Sequence, residues 1–430
     1  MKPETLLAVI SEWLNETPLP ELIPRQSNPI QLENLSMIHA VVGPRRSGKT
    51  FYLFQIIKQL LLSKKWKRND ILFVDFEDYR LKGFKLADID TLLAAFNQLT
   101  GKYPRFLFFD EIQYLPDWSR GLRSLHNRRM FKMLVSGSNS RLLSREIATE
   151  LRGRYEDHLM LPFSFREYLR MHQIDQPEAL LHTPARGKLQ GKLNDYLVSG
   201  GYPEVVLRSP GRERHKLLQN YYETIFYKDL LDRHRIKTRS LLDRMMSYLL
   251  HTYSETFSLS AYEKVIKAVE SGGSKRTLAT YLAYLQEAFF IISNEKFSYS
   301  PKVRQVNPKK VYLMDTGFAN LATQFSDNKG KLLENLVAIE LFRRQQQMFY
   351  YKGTYECDFV LVEEKRPSEA IQVCWELTPK NLNREHVGLR NAMHDLNIKK
   401  GTLVTYQEGV QLEDKSVHVV PAFRWLLGQG

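Results

Sequence analysis

The chain has 430 residues, room for about three domains, and its 43% hydrophobic and 26% charged residues are the balance of a globular protein. Its two cysteines, Cys357 and Cys374, exclude a disulfide scaffold and fit a reducing compartment. The net charge of +14 is uneven: residues 1–35 carry −3, 36–160 carry +9, 161–240 carry +5, 241–330 carry +3, and 331–430 are neutral. That basic excess, confined to residues 36–330, fits a polyphosphate partner, either nucleic acid or an anionic membrane surface, and equally a solubilising surface charge. The acidic first twenty residues lack the basic start and apolar centre of a signal peptide, and no apolar run is long enough to span a membrane, so a cytoplasmic protein with no membrane partner is expected.

In chain order, a helical N-terminal segment leads to the apolar run Ile38, Ala40, Val41, Val42. Gly43-Pro44-Arg45-Arg46-Ser47-Gly48-Lys49-Thr50 and the apolar-rich Phe51 to Leu62 follow, giving strand, G-x-x-x-x-G-K-T, helix. Glycines let the backbone turn so that amide N–H groups and a helix N-terminus surround phosphates. Lys49 would reach the β- and γ-phosphates of ATP and the Thr50 hydroxyl would ligate Mg²⁺. Ile71 to Phe76 is a second strand. Arg105-Phe-Leu-Phe-Phe-Asp110-Glu111 is a third, ending in two carboxylates. Asp110 would hold the Mg²⁺ and Glu111 would act as general base on the attacking water. Lys132 to Asn139 is a fourth strand, and alternating strands and helices imply a doubly wound parallel α/β domain with its ligand at the C-terminal strand ends. There Asn139, preferred to Ser138, is read as a γ-phosphate sensor. Of Arg152 and Arg154, the second is chosen as an arginine finger, acting within one subunit or between two.

These residues resemble a family of prokaryotic AAA-type ATPases with a C-terminal restriction-endonuclease-like domain, formerly of unknown function. The resemblance is carried by Gly43–Thr50, Phe108-Phe-Asp-Glu-Ile-Gln113 with Trp118, Ser136-Gly-Ser-Asn139, Leu151-Arg-Gly-Arg154, Leu161-Pro-Phe-Ser-Phe-Arg-Glu167 and Gly200-Gly-Tyr-Pro-Glu204. Tyr227-Lys-Asp-Leu-Leu231, Tyr312-Leu-Met-Asp-Thr-Gly317 and Leu333-Glu-Asn-Leu-Val337 extend it nearly end to end. It implies a P-loop AAA-type parallel-sheet core over 1–160, a helical lid over 161–238, a winged helix-turn-helix over 239–325 and a degenerate restriction-endonuclease-like domain over 326–430.

The residues of the middle segment agree with that division. Gly200-Gly201 and Pro203 mark a sharp turn in a helix-rich stretch. Leu241–Tyr253, Leu259–Val269 and Ser274–Ile292 read as three helices, the last capped by Ser274. An extended wing is expected around Asn294 to Arg304. Lys275 and Arg276 would then face DNA bases, and Lys302, Arg304, Lys309 and Lys310 its phosphates.

From Lys331 the pattern is helix, three strands, helix, strand. Nucleases of the implied fold need two carboxylates and a lysine around Mg²⁺. Glu334 and Asp358 stand where the carboxylates belong, but the next strand reads Gln372-Val373-Cys374, which supplies one weak ligand and no lysine. A migrated Lys380 is the alternative; otherwise the domain is expected not to cut, and Cys357 with Cys374 makes a poor zinc site. The functional expectation is an ATP-hydrolysing motor or remodeller on DNA, branched or junction DNA included, acting as a homo-oligomer with a hexameric ring among its possible forms. The alternatives are a nucleotide-dependent switch that recruits a protein partner in signalling or defence, and an ATP-regulated nuclease.

Overall fold

A computed structural model describes residues 1–25, 30, 36–143, 149–151, 153–269, 273–323, 328–406, 408 and 412–429. The chain divides into two compact units, Met1–Leu161 and Pro162–Gly430.

The first unit opens with α1 (Pro3–Asn15), whose buried Leu6, Val9, Ile10 and Trp13 form one apolar stripe. The indole of Trp13 donates to the Ile71 carbonyl at 2.7 Å, tying the helix to the sheet. Five strands follow: β1 (Ile38–Val42), β2 (Ile71–Asp75), β3 (Phe106–Asp110), β4 (Lys132–Gly137) and β5 (Tyr155–Leu159). All pair in parallel, in the order β2-β3-β4-β1-β5. The fully buried β1 and β3 are the near-continuous apolar runs that a covered parallel sheet requires. Between them run α2 (Lys49–Leu62), α3 (Asp88–Thr100) and α4 (Trp118–Asn127). Tyr52, Leu53, Ile56 and Ile57 of α2 pack with Val41, Phe106, Phe108 and Leu134 of the sheet in one buried cluster. The parallel α/β core expected from the sequence is therefore present, with β5 as a further edge strand.

The second unit begins with α5 (Phe165–Met171), closed by a capping box: Ser164 accepts from the Glu167 N–H at 3.2 Å and the Glu167 carboxylate accepts from the Ser164 N–H at 2.9 Å. Then come α6 (Arg186–Ser199), α7 (Pro203–Leu207) and α8 (Arg212–Thr224), which continues as a π-helical stretch over Ile225–Asp232. The Gly200-Gly201 turn is enforced: Gly200 has φ 69°, and a Cβ there would lie 1.7 Å from an Asp315 carboxylate oxygen. That carboxylate accepts from the N–H groups of Gly201 (2.8 Å) and Gly317 (2.9 Å).

Next come α9 (Arg239–His251), β6 (Glu255–Phe257), α10 (Leu259–Val269), α11 (Lys275–Glu287), β7 (Ile291–Lys296), α12 (Pro301–Val306) and β8 (Lys309–Leu313). Here the structure corrects the sequence reading. The third helix stops at Glu287 because the chain reverses at Phe289 (φ 53°), and Ile291 and Ile292 enter a strand. The expected extended wing contains the short helix α12, started by Pro301.

The remainder is α13 (Lys329–Arg343), β9 (Gln347–Lys352), β10 (Glu356–Glu363), β11 (Arg366–Cys374), α14 (Leu382–Asp395), β12 (Lys400–Thr405), β13 (Val417–Pro421) and α15 (Ala422–Leu426). One mixed eight-stranded sheet, β13-β12-β11-β10-β9-β7-β8-β6, runs through the unit, because β7 pairs in parallel with β9 at Glu295↔Phe349 and Lys296↔Tyr350. No described helix is long and apolar enough to cross a membrane.

Candidate functional site: a phosphate loop and a buried carboxylate pair

β1 delivers the chain into the glycine-rich turn and α2 carries it away. Gly43 is fixed by space: a Cβ on it would lie 1.9 Å from the carbonyl oxygen of Met160, just past β5. Gly48 is fixed by conformation, with φ 98° immediately before the first turn of α2. The loop is braced on its outer side by Arg25, which donates to the carbonyls of Ser47 (2.7 Å) and Leu161 (2.6 Å). Lys49 is 4% exposed and donates to the Pro44 carbonyl at 3.0 Å, with Glu111 3.4 Å from its ammonium. Arg45 is held by Glu77 (3.1 Å) and by the Tyr114 hydroxyl (2.6 Å), and Arg46 is exposed.

Beside the loop lie the ends of β3, β4 and β2. Thr50 donates to Asp110 Oδ2 at 2.6 Å, and Ser136 donates to Asp110 Oδ1. The Ser136 hydroxyl accepts from the Glu111 N–H at 3.1 Å. Glu111 sits at φ 49°, an uncommon conformation for a side-chain-bearing residue and one met at functional positions. Gln113 spans from the Glu111 carboxylate to the Ser138 hydroxyl, 3.1 Å away. Burial, then the Glu111 charge, pushes Asp110 above the ordinary carboxylate range. Burial acts on Glu111 as well, but Lys49 and Arg45 outweigh it and hold that carboxylate below its usual value. Asp75, the register partner of Asp110, is pushed up to about 7 by burial, with Asp110 and Glu111 adding to it.

These residues fit a magnesium nucleotide. Ser47 is fully buried with its hydroxyl unpartnered inside the loop, and Lys49 is a buried cation beside it. Thr50 and Asp110 are hard oxygen donors within hydrogen-bonding distance of each other, the set that Mg²⁺ takes together with phosphate oxygens. Asn139 is buried just beyond β4, at the same end of the sheet.

Arg154 is elsewhere. It precedes β5, its carbonyl accepts from Ile38 N–H at 2.8 Å, and β1 and β5 run in parallel from Ile38↔Tyr155 to Val42↔Leu159. A five-residue strand spans about 16 Å, so Arg154 lies at the opposite end of the sheet from its own phosphate loop. There it donates to Asn127 and lines a cavity of about 690 Å³ with Arg105, His126, Arg129 and Lys132. Arg152 lies outside the described residues. Arg25, Asp75, Gln113 and Ser136 were not assigned roles from sequence; the end-of-strand positions of Asp75 and Ser136 were the available signal.

In the second unit, Ser274 caps α11 by accepting from the Thr277 N–H at 3.2 Å, and Lys275 and Arg276 are exposed in its first turn. Lys302 is exposed on α12. The other basic residues expected to face phosphates are engaged within the protein. Arg304 donates to the Ser298 carbonyl at 2.9 Å and lies over Phe349, and Lys309 pairs with Glu295 at 3.1 Å.

Lys310 is the larger correction, because it is 3% exposed and its ammonium stands 2.8 Å from Glu334, 2.7 Å from Glu356 and 3.0 Å from Asp358. A lysine, absent from Gln372-Val373-Cys374, thus stands beside these carboxylates on β8. Burial alone would lower Lys310, but Asp358, Glu334 and Glu356 together hold it well above its usual value. Burial and the Asp358 charge push Glu334 up to about 8. Gln372 donates to Glu385 at 2.7 Å and accepts from the Asp358 N–H at 3.3 Å. These groups line an open cavity of about 780 Å³. Both cysteines are free thiols.

Fold and phosphate loop together define an AAA-type P-loop ATPase domain followed by a mixed-sheet unit. Residues 36–169 match the family described as AAA domain, and residues 190–329 match the domain of unknown function DUF8612. An uncharacterized protein of Methanocaldococcus jannaschii, MJ1544, is 34% identical over 403 residues, 91% of this chain and 88% of that protein. The chain belongs to the same family. An uncharacterized protein of Haemophilus influenzae is 26% identical, over 93% of this chain and 96% of the relative. Among solved structures, the Walker-type ATPase PABY2304 of Pyrococcus abyssi is similar over 71% of this chain and 98% of that one, with 15% identity and a TM-score of 0.42.

Proposed function

We propose that the chain hydrolyses ATP and couples hydrolysis to the binding and remodelling of DNA. The observation that carries the first part is the pairing of Lys49 with Glu111 and of Thr50 with Asp110 at a glycine-rich loop that also buries an unpartnered Ser47 hydroxyl. The loop N–H groups and Lys49 bind the phosphates, and Thr50 and Asp110 hold the Mg²⁺, which when bound neutralises charge on the transferring phosphoryl group. Glu111 takes a proton from the attacking water; Gln113 and Ser138 orient its carboxylate, and Lys49 keeps it ionised. Asn139 senses the γ-phosphate. Arg154, about a strand's length from its own loop, serves as arginine finger to a neighbouring copy in a homo-oligomer.

The DNA-binding part rests on the basic excess of residues 36–330 and on the element order helix, strand, helix, helix, strand, short helix, strand over 239–313, which is read as a winged helix-turn-helix whose wing carries the short helix α12, with Lys275 and Arg276 at its recognition helix. Residues 161–238 are read as the lid and 326–430 as the nuclease-like domain of this arrangement. The test is ATP turnover and gel shift with duplex, forked and four-way DNA. DNA should bind and stimulate turnover, and Lys275→Ala with Arg276→Ala should weaken binding and flatten its salt dependence. Absence of both binding and stimulation at low salt would sink the DNA reading.

One observation favours a second activity. With Lys310 beside Glu334, Glu356 and Asp358, the second unit carries the kinds of groups, carboxylates and a lysine, that a Mg²⁺-dependent phosphodiesterase uses. Mg²⁺-dependent DNA cleavage lost in Asp358→Asn would support it; no cleavage by the native chain would remove it.

A further inference from the structure

The strand that leads into the phosphate loop contains one polar residue that the nucleotide site does not use. β1 is buried along its whole length, yet His39 interrupts its apolar sequence at 1% exposure. A buried imidazole is costly unless its nitrogens find partners. His39 Nδ1 lies 2.9 Å from Nε2 of His158 on the adjacent edge strand β5, and its other ring nitrogen has no partner. Strand register explains the meeting. His39 stands opposite Glu156, and His158 follows Glu156 by two residues, so all three side chains leave the same face of the sheet. Of the Glu156 carboxylate, Oε2 is 3.8 Å from His39 Nδ1 and Oε1 is 4.0 Å from His158 Nε2.

We infer that His39, Glu156 and His158 form a binding site for a divalent transition metal ion, with Zn²⁺ as the fitting species, separate from the nucleotide site. The donor set is two imidazole nitrogens and one carboxylate oxygen, the kind that Zn²⁺ binds while keeping a fourth position for water. The triangle has nearly the right size. Ligand distances of about 2.0–2.2 Å in a tetrahedral centre set donor atoms about 3.3 Å apart. The two ring nitrogens, 2.9 Å apart, are slightly closer than that, and the carboxylate oxygens, no nearer than 3.8 Å to either nitrogen, are somewhat farther, so the rings part by a few tenths of an ångström and one carboxylate oxygen moves in by more. His158 is half-buried and Glu156 exposed, which leaves the ion a path from solvent and the carboxylate freedom to move. The consequence is mechanical. β5 is the edge strand beside β1, and a metal bridging them clamps the strand that leads into Gly43 to the strand after which Met160 lies against Gly43.

The test uses the full nucleotide-free chain, stripped of metal and then given Zn²⁺ or Co²⁺. His158→Ala and Glu156→Ala alter side chains at least partly open to solvent, and their melting temperatures without metal check the fold. The native chain should retain one Zn²⁺ more than His158→Ala after gel filtration. It should show visible Co²⁺ absorption that His158→Ala lacks, and melt higher with Zn²⁺ where the variant does not. Glu156→Ala should bind more weakly, by roughly tenfold or more as a lost ligand requires. Equal metal content, equal Co²⁺ spectra or equal Zn²⁺-induced melting shifts in native chain and His158→Ala would overturn the inference, since the remaining histidines and the nucleotide site are common to both.

Discussion

Gly43→Ala probes the geometry of the phosphate loop with one methyl group. The added Cβ would lie 1.9 Å from the Met160 carbonyl oxygen and 2.8 Å from its carbon, both backbone atoms, where ordinary contact begins at 3.4 Å. Loop and β5 must separate by about 1.5 Å, and such overpacking costs about 1–3 kcal/mol. That loss lowers the melting temperature by about 2–4 °C per kcal/mol in a unit of this size. Catalysis should suffer more, because a displacement of about 1 Å at a reacting centre costs about 100-fold in rate. Gly191→Ala is the control: it sits inside α6 with nothing within 4 Å of its Cβ, and should gain about 0.5–1 kcal/mol. Calorimetry and phosphate-release kinetics on both variants read the two effects. A Gly43→Ala chain with native ATP affinity and turnover would refute the view that this close approach shapes the nucleotide site.

Asp75→Asn tests the electrostatics at the strand ends in nucleotide- and metal-free protein. With its folded value raised to about 7 from 3.8, Asp75 contributes most below about pH 4, and its contribution is lost as pH rises through 7. Each pH unit in that window costs up to about 1.4 kcal/mol, so the variant's melting temperature should fall less than the native chain's between pH 5 and 8; parallel curves would refute the assignment. Lys310→Met strips the cation from Glu334, Glu356 and Asp358 and should destabilise by about 3–5 kcal/mol. Without the cation Glu334 is raised further, so the loss relative to the native chain should deepen as pH rises; the same native-minus-variant difference in denaturant midpoint at pH 6 and 9 would argue against the cluster.

The nucleotide site was legible because its parts are contiguous in sequence. A strand, a glycine pattern and a helix stand side by side at Ile38–Leu62, and Asp110-Glu111 ends a strand of aromatic residues. What escaped was assembled by the fold. Arg25 reaches Ser47 from 22 residues away. Lys310 reaches Glu334 over 24 residues and Asp358 over 48, so no local spacing announces it, and its place among basic neighbours suggested a phosphate-facing wing instead. β5 was missed because Tyr155-Glu-Asp-His-Leu is mostly polar, as an edge strand can be, and with it went the meeting of His39 and His158. The helix-to-strand switch at Phe289 was hidden because Phe290, Ile291 and Ile292 continue the apolar pattern of α11.

The central claim is hydrolysis of ATP with Glu111 as general base, and the most direct measurement is phosphate release from Mg²⁺-ATP by native and Glu111→Gln chains, with ATP binding measured on the same samples. General-base removal costs about 10²–10⁴-fold. The account predicts that Glu111→Gln binds ATP as the native chain does and turns it over at least about 100-fold more slowly, while Lys49→Ala loses binding as well. Native turnover by Glu111→Gln would contradict it.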